Sequence, residues 1–146
     1  MLPDVNVLVA AHHADHPHHA VAADWLQRTL LDRDQSGQRL RLPLPVVSGF
    51  LRLVTNAKVF PQPSPISQAV DFVDWLLESA AVDLLSNTTE WASFRKLVLD
   101  RHLAANQIPD AHLAALSLSL GEPFVTFDKD FRKLLPPSLL VLLRAK

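Results

Sequence analysis

The chain has 146 residues, 49% of them hydrophobic and none of them cysteine, and its formal net charge is −1. That is enough apolar material for one domain with its own core, residues 1–146, and too little for two. Without cysteine there is neither a disulfide framework nor a thiolate metal site. Near-neutral charge argues against a strongly basic nucleic-acid platform, while leaving room for an enzyme whose metal ions supply the positive charge.

Met1 to Ala10 is an apolar run with a single carboxylate, Asp4, inside it. Leu2, Val5, Val7, Leu8 and Val9 predict a strand buried on both faces, with Asn6 on the same face as Asp4. A carboxylate in such a strand must be hydrogen-bonded, neutralised or set against a cation. The bland alternative is that Asp4 caps a loop at the strand's mouth. The run has no basic leader and is interrupted by Asp4 and Asn6, so it does not read as a signal peptide. No later segment reaches membrane-spanning length, and a soluble cytoplasmic protein is expected.

Five of the seven histidines fall between His12 and His19, ahead of a helix-period segment through Val21, Trp25, Leu26, Leu30 and Leu31. Asp15 is positioned to cap that helix, with Pro17 in its first turn. The histidines invite a zinc reading, but without cysteine or regular ligand spacing they read better as exposed residues at a helix start. A polar loop from Asp32 to Arg41 leads to a short strand, Leu40 to Leu44, kept brief by Pro43 and Pro45. A helix follows from Val46 to Thr55, then a stiff connection containing Pro61, Pro63 and Pro65. Ser64 is expected to cap a helix reaching about Ser79, whose stripe is Ile66, Ala69, Val70, Val73, Leu76 and Leu77. Val82 to Leu85 reads as a strand. Asn87 with Glu90 resembles a capping box for a helix that would bury Trp91, Phe94, Leu97 and Val98. Pro109 opens a nearly all-apolar helix with Asp110 in its first turn, where the helix dipole alone would favour an acid. Gly121 ends it. Phe124 to Phe127 is a strand delivering Asp128 at its carboxyl end, and Leu139 to Leu143 is the last strand.

Strands alternating with helices predict a parallel, helix-covered sheet, in which ligands gather at the carboxyl ends of the strands. Asp4, Asp110 and Asp128 could all reach that edge. Converging carboxylates raise one another's pKa unless divalent cations sit between them, and an all-oxygen donor set suits Mg²⁺ or Mn²⁺. Such ions bind phosphates and activate water, so the chemistry points to a metal-dependent nuclease or phosphatase.

Five segments, in order, carry a resemblance. They are Pro3-Asp4-Val5-Asn6-Val7-Leu8; Asp15-His16-Pro17-His18-His19 before Trp25-Leu26; Phe50-Leu51-Arg52-Leu53-Val54-Thr55-Asn56; Pro109-Asp110-Ala111-His112-Leu113-Ala114-Ala115; and Thr126-Phe127-Asp128-Lys129-Asp130-Phe131. Together, over essentially the full length, they resemble a PIN domain, specifically a VapC-type toxin of a toxin-antitoxin pair. The resemblance implies a three-layer α/β/α fold with a mostly parallel sheet of four to five short strands. It also implies a Mg²⁺-dependent endoribonuclease, commonly homodimeric, held inactive by a VapB-type antitoxin. Carried over by motif, Asp4, Asp110 and Asp128 are the metal-binding acids, Asn6 and Thr126 support them, and Asp130 is an auxiliary acid. The family usually has a glutamate just before the Gly-Phe-Leu-Arg run, where this chain has Val47-Ser48. One well-occupied metal site on Asp4 and Asp110, a weaker one near Asp128, and added positive charge from Arg52 or a lysine are therefore expected.

Two rivals stand beside this reading. A phosphatase using Asp4 as nucleophile would need an acid two positions on, where Asn6 cannot protonate a leaving group. A PIN domain that lost catalysis with its glutamate and persists as a partner-binding module is the non-enzymatic alternative.

Overall fold

The first strand stops almost as soon as it starts. The computed structural model, which describes residues 1–32 and 37–144, has strand β1 over only Leu2–Pro3 and then helix α1 over Val5–His12. This corrects the expected ten-residue strand. A short apolar run bounded by no glycine fits a buried helix as well as a buried strand, and only the boundary residue separates them. Asp4 is that residue. Its backbone is extended, with φ −74° and ψ 159°, and its carboxylate accepts from the Val5 N–H at 2.7 Å, the geometry of a helix N-cap. Val7, Leu8, Val9 and Ala10 are then buried in succession, because α1 is packed on more than one side, against α2 and α3.

Helix α2 spans His19–Leu31, strand β2 Leu40–Pro43, helix α3 Leu44–Val54, helix α4 Ile66–Glu78 and strand β3 Val82–Leu85. Helix α5 covers Trp91–Asp100, helix α6 Gln107–Leu120, strand β4 Phe124–Thr126 and strand β5 Leu140–Leu142, with a 3₁₀ turn over Lys129–Lys133 between the last two. Ser36, in the expected polar loop, lies outside the described residues.

Every strand pair is parallel: β1 with β4, β4 with β5, and β2 with β3. The Arg41 N–H donates to the Met1 carbonyl at 2.9 Å, which knits β2 to the open side of β1. By hydrogen-bonded ladders the strands form a three-stranded sheet, in the order β1-β4-β5, and a two-stranded one, β2-β3, and the helices pack in two groups, α1 to α4 and α5 with α6, in the expected α/β arrangement. Leu2, Leu8, Leu40, Leu42, Phe50, Leu76, Leu116 and Phe124 lie in one continuous core.

Most expected caps are not made. Asp15 is exposed and α2 starts at His19 with no side-chain cap. Pro65, not Ser64, stands at the N-cap of α4, and the Ser64 hydroxyl meets His12 Nε2 at 3.0 Å. Glu90 sits at the N-cap of α5 but sends its carboxylate to His112, so there is no capping box. Trp91, expected in the core, is 67% exposed, because α5 begins where the chain has already left the sheet. Gly121 does end α6, in the left-handed conformation at φ 64° that a side chain would strain. No helix among the described residues is long and apolar enough to cross a membrane.

Candidate active site

The carboxyl ends of β1 and β4 lie side by side, Pro3 opposite Val125, so the residues just past them, Asp4 and Thr126 to Asp128, are neighbours across the full length of the sequence. The Asp4 N–H donates to the Val125 carbonyl at 2.8 Å, fixing that register at the site itself. The Thr126 hydroxyl is the hub. It donates to Asp4 Oδ2 at 2.6 Å and accepts from Asn6 Nδ2 at 3.1 Å and from the Asp128 N–H at 2.9 Å. One hydroxyl thus uses its single proton and both lone pairs, and three candidate residues are held by one oxygen. Asn6 Oδ1 also accepts from the Phe127 N–H at 3.4 Å, closing the first turn of α1 onto the end of β4. Asn6 reaches this network from a helix, not from the expected strand face.

Asp4 is 8% exposed. Burial pushes its pKa up to about 6, against the two hydrogen bonds from Thr126 and Val5 that pull it down, and the charges of Asp110 and Asp128 add to the rise. Asp110, in the first turn of α6, is also raised, by burial first and then by Asp128 and Asp130. The charges of Asp110 and Asp128 thus reach Asp4, and those of Asp128 and Asp130 reach Asp110. Asp128 caps the 3₁₀ turn, its Oδ1 accepting from the Asp130 N–H at 2.8 Å, while Asp130 pairs with Lys133 at 2.9 Å. Asp110 and Asp130 open together on a cavity of about 270 Å³ that also holds Arg101, Gln107 and Lys133.

Among the described residues, no lysine, arginine or histidine makes an ion pair with Asp4, Asp110 or Asp128. A buried carboxylate, Asp4, without an ion-pair partner of its own among the described residues is an observation that a divalent cation fits. Among the described residues, no three His, Asp or Glu side chains stand close enough to enclose an ion by themselves. That argues against a closed cage of protein ligands. It suits Mg²⁺, which keeps several waters and is held by one or two carboxylates together with substrate phosphates.

Arg52 is exposed in the last turn of α3, and among the described residues it makes no ion pair with these acids. Val47, standing where a glutamate was expected, is 7% exposed and belongs to the core cluster. The histidine segment is half-buried rather than exposed. His13 stacks on Phe60, His18 on Phe127, and His19 Nδ1 meets the Ala10 carbonyl at 2.9 Å. Burial lowers the pKa of His12 and His16. Sequence reasoning missed the Glu90–His112 pair at 2.6 Å. Burial pushes the Glu90 carboxyl up, but the Thr88 hydroxyl and the His112 ring bring it below the usual range. No signal in the sequence marked it, since the capping-box spacing explained Glu90 equally well.

A PIN domain family model matches residues 1–134. The chain is 40% identical over 131 residues to VapC ribonuclease Mb2897 of Mycobacterium bovis, covering 89% of this chain and 86% of that protein. It is 35% identical over 134 residues to Ribonuclease VapC31 of Mycobacterium tuberculosis, covering 90% and 91%. Among solved structures, VapBC2 from Rickettsia felis bound to a DNA fragment from their promoter matches with a TM-score of 0.68 at 14% identity, covering 98% of both chains, which speaks for the fold. The match over nine-tenths of the chain, on a fold that places Asp4 and Asp128 just past the carboxyl ends of β1 and β4, makes this chain a member of the PIN domain family, in its VapC group.

Proposed function

We propose that this protein is a Mg²⁺-dependent endoribonuclease, Mn²⁺ being a possible substitute, and the toxin of a type II toxin-antitoxin pair. The observation that carries the reading is Asp4: a carboxylate buried against Thr126, raised to about 6, with two further acids acting on it and no ion-pair partner of its own among the described residues. Its relatives are named ribonucleases, which supplies the substrate class. Asp4 and Asp110 would hold the cation, with Asp128 as a weaker ligand. When bound, it would offset the charge of the scissile phosphate and lower the pKa of a water molecule.

The chain's own residues have separable tasks. Thr126 and Asn6 fix the orientation of Asp4, since the single Thr126 hydroxyl proton goes to Asp4 and an Asn6 N–H donates to the same hydroxyl oxygen. The backbone turn at Asp128 presents that carboxylate from the end of β4, and Asp110 approaches from the start of α6. Asp130 is tied to Lys133 and contributes field rather than a free carboxylate.

A VapB-type antitoxin and a second copy of this chain are the proposed protein partners, and the cytoplasm the proposed location. Support for the antitoxin is the likeness to the VapBC2 complex. Support for the homodimer is exposed apolar surface on the two helices expected to associate, Ile66 and Trp75 on α4 and Trp91 and Leu99 on α5.

A second reading, a partner-binding module without catalysis, is favoured by one observation, that no three acids close around an ion. Asp110→Asn separates the two. With total cellular RNA and Mg²⁺, the wild-type protein is expected to degrade RNA and the variant to lose that activity while staying folded. RNA left intact by both, with the partner still bound, would establish the module instead.

A further inference from the structure

On the other flank of the 3₁₀ turn from Asp110 lies a second cavity, of about 570 Å³, lined by His18, Phe127, Lys129, Arg132, Leu143 and Arg144. Its charged lining is entirely cationic. Lys129, Arg132 and Arg144 are exposed, and none makes an ion pair with a described residue. Three unspent positive charges in one pocket stand out in a chain whose net charge is −1. The pocket also contains a flat apolar element. The rings of His18 and Phe127 stack with centroids 4.6 Å apart and planes 17° apart, and both, half-buried, line the cavity.

Its position relative to the acids is fixed by bonds. Lys129 follows Asp128 directly, and the Phe127 N–H donates to Asn6, which in turn donates to the Thr126 hydroxyl that holds Asp4. A strand of nucleic acid with one phosphate at the acids would therefore bring its neighbouring phosphates over this pocket. Free cations are what phosphates seek, and an aromatic ring lining a cavity is what an unstacked base seeks; single-stranded RNA offers phosphates and bases at the spacing of a nucleotide. A DNA or RNA duplex offers phosphates but no free base face.

We propose that the pocket of His18, Phe127, Lys129, Arg132 and Arg144 is the subsite that seats the nucleotides flanking the cleaved phosphate of a single-stranded RNA. Lys129, Arg132 and Arg144 hold backbone phosphates, and the Phe127–His18 pair supports a base. The inference rests on the ribonuclease reading and adds the residues that position its substrate. Histidine at position 18 is then a positioning residue, which accounts for its packing against a residue of the site rather than against the core.

The test is the salt dependence of binding to a short fluorescent single-stranded RNA, followed by anisotropy in the presence of chelator so that the RNA stays intact. Each phosphate contact on a single strand contributes about 0.7 to the slope of log K against log salt. The triple variant Lys129→Gln/Arg132→Gln/Arg144→Gln is expected to lower the slope by about 2 and to weaken binding about a hundredfold at 0.1 M salt. A control triple on other faces, Arg28→Gln/Lys58→Gln/Arg95→Gln, removes the same net charge and should leave the slope near the wild-type value. Phe127→Leu keeps an apolar side chain and should weaken binding about tenfold with the slope unchanged, as loss of one stacked base would. Equal losses in the two triples, or none in the first, would overturn the subsite. If the wild-type protein cleaves RNA while the first triple binds it unchanged, only the subsite fails. If the wild-type protein neither binds nor cleaves RNA, the ribonuclease reading fails with it.

Discussion

Replacing Asp4 by asparagine should change how the metal-free protein's stability depends on pH, and by a calculable amount. Burial raises the Asp4 pKa from 3.8 to about 6. At 1.36 kcal/mol per pKa unit, the ionised carboxylate costs the metal-free fold about 3 kcal/mol at pH 7.5. Because the folded pKa lies above the unfolded one, this contribution favours folding fully below about pH 3.9 and is lost as pH rises through about 6. Between pH 7.5 and pH 5, protonation of Asp4 in the native state should recover about 1.4 kcal/mol. His12 and His16, lowered by burial, work in the opposite direction as pH falls. Their effect is common to both proteins and cancels in the comparison. The assay is urea unfolding with chelator at the two pH values. Wild-type stability should gain about 1.4 kcal/mol more than that of Asp4→Asn on going to pH 5. Identical pH dependence in the two proteins would mean that Asp4 is not held in a desolvated acidic cluster, and the case for a cation there would lose its basis.

Gly49 and Val47 on α3 give two further tests. A Cβ at Gly49 would stand 2.9 Å from Val5 Cγ2, and Val5 adjoins Asp4. Gly49→Ala gains about 1 kcal/mol of helix propensity, but the branched Val5 cannot yield easily, so a net loss of about 1 kcal/mol in thermal or urea melts is expected, with α1 and Asp4 displaced. A net gain would mean that α1 and α3 are not in such close contact. Val47→Glu places a carboxylate in the core cluster. Without metal it should cost about 3 kcal/mol or more in the same melts, and a cost below about 1 kcal/mol would show instead that the position opens onto the acids.

Much of this architecture is legible in the sequence, for reasons that can be named. Val82–Leu85 is a strand as expected, and α6 ends at Gly121 as expected, although it begins at Gln107, ahead of Pro109. Asp4 and Asp128 are legible as neighbours because residues just past the ends of adjacent parallel strands fall on one edge, where both meet the Thr126 hydroxyl. The Met1 to Ala10 run was misread because a helix packed on several sides loses its amphipathic period. Capping residues failed as signals at Asp15, Ser64 and Glu90 because their side chains had other places to go: solvent, the His12 ring and the His112 ring. Exposure of Trp91 was invisible because hydrophobicity says that a residue can be buried, not what is there to bury it. The His18–Phe127 stack joins two segments whose proximity depends on how α2 enters the fold, which no local pattern encodes.

The central claim is that these acids cleave RNA by directing water, with a divalent cation, at a phosphodiester. Its most direct test is the chemistry of the ends produced from an end-labelled single-stranded RNA, incubated with Mg²⁺ or with chelator. Attack by water releases one fragment with a phosphomonoester and the other with a free hydroxyl, and no 2′,3′-cyclic phosphate. The account predicts those ends, formed with Mg²⁺ and absent with chelator. Cleavage that persists in chelator, or fragments ending in a cyclic phosphate, would contradict it.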